Sequence, residues 1–353
     1  MRSLFTRAGL IALAILGLLC FRLSAVSSQI HLTESPAWTT DLRKLGFNSD
    51  ELNAPALFQS TRQIAFGNSD ELVVAGDSGP FVKPNLVHAF VLDGKNGKVL
   101  RETNWTSGSW PFIFATSSGK YAVVTENGMA LYSAGLQQVI TKGTHVADKS
   151  SPDGRYLAAS ESIPGHGVTI FIDAETLKPT GTEFRDTYVW SLAENRVAYY
   201  GLRDGNAIVL LKDKNKQVPD YPTDCKAVRP NFITTDLLAV LGCEKLDVVS
   251  VSKGKIFSAP LEGADSFFAA SSRDGKRFAV IQHFESAGDP PRMRAERITV
   301  FDVSQQKPIC VTNLADLKGF TAGKSSGVAL SPDGSRLAIN SAGVVRLFAL
   351  KVE

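Results

Sequence analysis

Three of the five histidines and four basic residues sit in or beside segments longer than a β-hairpin needs. Lys83 and His88 fall in residues 76–88, His166 in 161–167, and His283, Arg292, Arg294 and Arg297 in 283–297. Guanidinium and ammonium groups on loops can grip an acidic group. Imidazoles can ligate a metal or titrate near neutral pH. The plainer alternative is a set of solvated loops whose charges serve solubility. These seven residues form the candidate ligand-binding set; no metal ligand and no catalytic residue is assigned.

Other chemistry has less behind it. Gly76-Asp77-Ser78-Gly79-Pro80 is similar to the nucleophile loop of trypsin-like proteases, but it lacks one glycine and no partner histidine motif accompanies it. A serine without a base is only a serine, so a hairpin loop is expected there. Neither HExxH nor CxxC occurs, and no cofactor is expected. The four tryptophans, Trp38, Trp105, Trp110 and Trp190, could stack on sugars or pack inside the protein.

The cysteines point to a compartment. Two apolar runs, 227–233 and 237–241, flank the polar Thr234-Thr235-Asp236 and read as a hairpin. Cys225 and Cys243 then face each other across its open end, within a residue or two of register. That is close enough for a disulfide, which an exported protein can keep; two reduced buried thiols are the alternative. Cys310, within Pro308-Ile309-Cys310-Val311, reads as a buried free thiol.

Residues 1–27 carry Arg2 and Arg7, an apolar run of 14 residues over 8–21, and Ala25-Val26-Ser27. This is the pattern of a cleaved secretory signal, leaving 28–353 as one domain that is secreted or periplasmic. The run is short for a bilayer span, which needs about 20 residues; an uncleaved membrane anchor is the alternative. The three arginines of this segment account for the whole formal net charge of +3. The remainder has no basic footprint, so nucleic acid is not an expected partner.

The elements that must position these residues announce themselves by repetition. Ser331-Pro332-Asp333-Gly334-Ser335-Arg336-Leu337-Ala338 is a polar turn running into an apolar strand. Its counterparts are Ser151-Pro152-Asp153-Gly154-Arg155-Tyr156-Leu157-Ala158 and Ser272-Arg273-Asp274-Gly275-Lys276-Arg277-Phe278-Ala279. Looser versions begin near residues 68, 117, 193 and 234, which makes seven, separated by roughly 35 to 59 residues. Four-stranded propeller blades repeat every 40–50 residues or so. Between these turns lies a second hairpin theme, as in Phe90-Val91-Leu92-Asp93-Gly94-Lys95 and Val300-Phe301-Asp302-Val303-Ser304. Two hairpins per unit make four strands. A sheet that small cannot bury both faces alone, so the units must stack in a ring.

The Ser-Pro-Asp-Gly turn followed by Val-Phe-Asp-Val resembles bacterial WD-repeat-like propellers, including the YVTN and lactonase-like relatives. The resemblance runs from about residue 57 to 350 and implies an all-β, seven-bladed β-propeller. The Gly-His and Trp-Asp pairs of true WD repeats are absent in register. In such propellers the second-to-third-strand loops surround the mouth of the central channel. The last unit stops after its third strand, Val344-Val345-Arg346-Leu347-Phe348. The N-terminal residues are therefore expected to supply the missing outer strand and remove the open edge. Residues 39–47 echo 312–320, which follow the fourth strand of the sixth unit.

The functional expectation is a monomeric, non-catalytic binding scaffold that engages a protein, peptide or glycan through its loop-rich face. The alternatives are a propeller-type hydrolase resembling the lactonases and a membrane-anchored structural domain of the envelope.

Overall fold

The computed structural model describes residues 30–31, 35–47, 63–77, 85–108, 111–163, 166–185, 189–214, 218–262, 265–285, 294–317 and 326–350. Segment 1–27 thus lies outside the described residues, as do Lys83, Trp110 and Arg292.

Seven sheets follow one another around a ring, and each is built on four antiparallel strands. Blades one to five take their strands in chain order: from Ile64–Asn68 to Val99–Ser107, from Ile113–Ala115 to Val139–Gly143, from Ala147–Ser150 to Pro179–Arg185, from Ser191–Ala193 to Tyr221–Pro222, and from Arg229–Phe232 to Gly254–Pro260. Blade six runs from Asp265–Ser271 to Lys307–Asn313, and blade seven holds Ser326–Leu330, Arg336–Ser341 and Val344–Ala349. The first strand of every blade stands at one end of its sheet and lines the central channel.

The apolar core lies between blades. Trp38, Phe66, Leu72, Phe90, Ala338 and Leu347, all buried, form one cluster shared by blades seven and one. Each blade buries one face on its predecessor and the other on its successor, which is why no unit could fold alone.

The repeated turn is the same hydrogen-bonded object three times over. The Ser151, Ser272 and Ser331 hydroxyls donate to Asp153, Asp274 and Asp333 at 2.6, 2.7 and 2.6 Å. The same hydroxyls accept from the backbone N–H of Tyr156, Arg277 and Arg336, each at 3.0 Å. Gly154, Gly275 and Gly334 take φ of 71, 69 and 68°, a conformation that costs glycine little and other residues more. The motif is therefore a structural one: it turns the chain from the first strand of a blade into the second.

An arginine near this turn also ties blade to blade. Arg196 pairs with Asp213 in its own blade at 2.9 Å and donates to Thr235 O of blade five at 2.8 Å. Arg277 pairs with Asp302 at 3.5 Å and donates to Gly334 O of blade seven at 2.7 Å. Arg336 donates to Gly94 O of blade one at 2.9 Å.

Ring closure follows the expectation and adds to it. Trp38–Asp41 is the outer strand of blade seven, antiparallel to the third strand, with Trp38 opposite Leu347. Its side chains lap onto blade one: Trp38 Nε1 donates to Gly94 O at 3.2 Å and Thr40 Oγ1 to Gly97 O at 2.6 Å. Gly97 (φ 73°) is required here, since a Cβ would stand 2.5 Å from the Trp38 ring. Ile30–His31 adds something the sequence did not announce, a parallel fifth strand on the outer edge of blade six. The echoing segments each form a turn of 3-10 helix directly after an outer strand, at Leu42–Leu45 and Leu314–Asp316.

Cys225 and Cys243 form a disulfide with Cα atoms 5.5 Å apart. Cys243 and Glu244 make the two-residue turn of the following hairpin, both at positive φ. Cys310 is buried and free. Burial pushes its thiol up to about 12, so it carries little thiolate at neutral pH.

Candidate functional site: the hairpin end of the channel

The central channel encloses about 660 Å³ and is lined by the first strands of all seven blades. Its two ends differ. At the end carrying the repeated turns, Arg273 of blade six reaches across the ring. Its guanidinium donates to Gly67 O of blade one at 3.1 Å, and to Thr116 O and Ser117 O of blade two at 2.9 and 3.1 Å. Neighbouring turns are bonded directly as well: Ser117 N–H donates to Gly154 O at 3.0 Å and Asp274 N–H to Pro332 O at 3.3 Å. This end is bolted.

The other end is framed by the starts of the first strands and by the hairpins between second and third strands. Arg229 opens the first strand of blade five and pairs with Asp265, which opens that of blade six, at 3.3 Å. Arg229 also donates to Ser266 O at 3.1 Å and lies over the Phe267 ring, 4.3 Å from its centroid. Deeper in the channel, just before the Ser151 turn, Lys149 and Asp148 of blade three form a second ion pair. Trp190, half-buried, lines the channel just before blade four. Its ring meets that of Tyr200 at 6.2 Å, and Tyr200 and Leu202 are exposed along the same hairpin.

The residues singled out from the sequence are distributed around this frame. The segments holding them are shorter as loops than expected, because the ladders run on: blade one pairs to Asp77 and Val87, blade three to Ile163 and His166, blade six to Glu285 and Arg294. His88, His166, His283, Arg294 and Arg297 therefore lie on strands. Polar residues such as Gln282, His283 and Glu296 interrupt the apolar alternation that marks a strand.

His283 stands next to the channel-lining Phe267. It is 5% exposed, packs its ring 5.2 Å from Phe267 and pairs with Glu296 at 3.5 Å. It thus stands behind the ring that carries Arg229. Arg297 faces elsewhere, bonding Glu262 at 2.6 Å and Asn313 at 2.9 Å. His88 pairs with Glu102 at 2.6 Å between the third and fourth strands of blade one. The side chains of His166 and Arg294 fall outside the described residues, as do Lys83 and Arg292 entirely. Among the described residues no cluster of three or more His, Cys, Asp or Glu could hold a metal.

Arg229, Asp265, Lys149, Asp148 and Arg273 were not singled out from the sequence. The signal that finds Arg229 and Asp265 is position: each opens the first strand of a blade, a few residues before the turn that follows it. Gly76 is a packing residue, because a Cβ there would stand 2.5 Å from Phe47. A further spacing, Gly323-Lys324-Ser325-Ser326-Gly327, fits the GxSxG of serine hydrolases. That motif needs a strand-to-helix elbow; here Ser326 and Gly327 begin a strand, and Ser325 lies outside the described residues.

No protein-family model matches this chain, and no curated protein matches it. Among solved structures it is similar to BamB from Moraxella catarrhalis, at 12% identity over 82% of this chain and 83% of that one, with a TM-score of 0.35. The likeness is too slight to carry any statement about what this chain does.

Proposed function

We propose that this protein is an exported, non-catalytic β-propeller of the WD-like or YVTN type. In this reading it binds a protein, peptide or glycan through the hairpin face and the channel mouth that opens on it. One observation carries it: the channel is bolted by Arg273 at the turn end, while the hairpin end exposes Tyr200 and Leu202 beside Trp190. Binding residues gather where loops and strand ends project from a rigid scaffold. At the mouth Arg229 is tied to Asp265, which suits holding a ligand better than moving protons. Of the seven positions named from the sequence, His283 behind Phe267 is the one the reading draws on. The Cys225–Cys243 disulfide supports an oxidising compartment.

The test is a photo-cross-linker placed at Leu202 on the hairpin face and, in a separate variant, at Leu100 on the outer strand of blade one, both exposed. In the native host, a discrete adduct at 202 and none at 100 is expected. Equal labelling, or none at either site, overturns the binding face. Mass spectrometry of the isolated protein is expected to find an N-terminus near Ser28; a chain retaining residues 1–27 would replace export by cleavage with anchoring.

A further inference from the structure

Lys149, Arg229 and Arg273 all line the channel. Lys149 is paired with Asp148 and Arg229 with Asp265. Arg273 alone of the three has no carboxylate within ion-pair distance among the described residues; its bonds go to backbone carbonyls. Two of those bonds leave Nη2 and one leaves Nη1, so Nε–H and one N–H of Nη1 remain for a ligand. Burial holds its pKa below the ordinary guanidinium value, against the pull of Tyr121, Glu175 and Asp153. Both of those acids are committed elsewhere, Glu175 to Ser118 and Lys120, Asp153 to the Ser151 hydroxyl and the Arg155 N–H.

A short run of bonds joins this guanidinium to blade three. It donates to Ser117 O, Ser117 N–H donates to Gly154 O at 3.0 Å, and Gly154 N–H donates to Ser151 O at 3.0 Å. Lys149 and Ser150 stand directly before Ser151, at the end of the strand Ala147–Ser150, and both line the channel. Arg273 and Lys149 against Asp148 leave one positive charge in excess on the inner side of the bolt. Ser150 is exposed and offers a hydroxyl. Much of the remaining wall is apolar, with Ala65, Ala115, Phe268 and Ala270 half-buried along it. The space of about 660 Å³ falls within the range of small-ligand sites, about 300–1,000 Å³.

An unneutralised cation at the closed end of a partly apolar channel suits one negative charge carried on an apolar body. We infer that the channel binds a small organic monocarboxylate, its carboxylate held on the inner side of the bolt by Arg273, Lys149 and the Ser150 hydroxyl. A carboxylate cancels the one excess charge, whereas a phosphate dianion leaves the site negative. Its bond to a half-buried guanidinium is charge-assisted and stronger than one between neutral groups. The site lies apart from the hairpin face proposed for a macromolecular partner and does not depend on it.

The experiment titrates the purified protein at fixed ionic strength with benzoate and hexanoate, with the uncharged benzamide and hexanamide, and with phosphate and sulfate. Heat of binding and melting midpoint are both read. At least one carboxylate is expected to bind and to raise the midpoint by mass action, its amide binding about tenfold more weakly or worse. Ser150→Glu sets a carboxylate beside Arg273 and is expected to weaken that binding about tenfold or more, with the midpoint unchanged or higher. Ser150→Gln, of similar size and uncharged, is expected to stay within a few-fold. Arg273→Met is expected to abolish binding, and where that variant does not fold the two Ser150 variants decide. Equal binding of acid and amide overturns the inference, as does an equal response of the two Ser150 variants. Tighter binding of phosphate or sulfate than of either carboxylate overturns it too, and so does binding of neither carboxylate. The cross-link at Leu202 reads the partner face separately: an adduct that persists where carboxylate binding fails keeps that face and removes the anion site.

Discussion

The two ends of the channel are built on opposite plans. At the turn end the same Ser–Asp–Gly network recurs with nearly the same distances in blades three, six and seven, and Arg273 locks one side of the ring to the other. At the hairpin end no such unit recurs: one blade offers Trp190, the next Arg229, the next Asp265. Repetition is what a ring needs for its blades to dock alike, and irregularity is what a ligand needs to be recognised. The most conspicuous motif of this sequence marks the end that does the holding, and the proposed binding end lies opposite.

The comparison can be strained hardest at the closure. Deleting residues 28–41 removes the outer strand of blade seven and Trp38 with it. Losing one buried tryptophan side chain costs about 3–5 kcal/mol, and the exposed edge adds to that, so loss of cooperative folding is expected by calorimetry. A truncated chain that melts like the full one would refute closure by this strand.

Next comes the bolt. Arg273→Met removes three charge-assisted bonds to carbonyls, and hydrogen bonds of that kind are worth about 1.5–3 kcal/mol each at most. A loss of about 2–3 kcal/mol is expected in denaturant unfolding, with ligand binding at the opposite mouth unchanged. If binding fell while stability held, the division between the two ends would be wrong.

Glu175 gives a smaller, pH-dependent effect at the turn end. Its carboxylate, in blade three, accepts from Ser118 N–H at 3.0 Å, the Ser118 hydroxyl at 2.8 Å and Lys120 Nζ at 3.0 Å, all in blade two. Burial alone would raise its pKa, but bonds from Thr116, Ser118 and Lys120 outweigh that and hold it at about 2. A carboxyl depressed in the folded state stabilises above its unfolded value and loses that contribution as pH falls toward its folded one. Acid unfolding of Glu175→Gln is therefore expected to be shallower between pH 4.5 and about 2. At neutral pH the variant should be less stable by about 1–2 kcal/mol. Parallel acid limbs for the two proteins would remove this inter-blade role.

The smallest stability effect belongs to the mouth. Asp265→Asn breaks a partly exposed ion pair, worth about 0–1 kcal/mol, and leaves Arg229 its bond to Ser266 O and its place over Phe267, so the melting point should barely move while binding to the hairpin face changes. A large loss of stability would make the pair structural, like Arg273.

Much of this was legible in one dimension. Seven turns with apolar strands behind them must give seven sheets, because Ser151, Ser272 and Ser331 build their turns from residues two to five positions away. Local hydrogen bonds are written in local sequence. The disulfide was readable for the same reason, as Cys225 and Cys243 bracket a single hairpin, and the missing outer strand followed from counting. Arg273 and Arg229 were not readable. Arg273 bonds to carbonyls more than 150 residues away, and no spacing rule links them. Arg229 gains its place over Phe267 and against Asp265 only when blades five and six stand side by side. Sequence determined the blades, since each is assembled from neighbours along the chain. Only the closed ring decided which side chains would meet across the channel, since that contact exists between blades and in none of them alone.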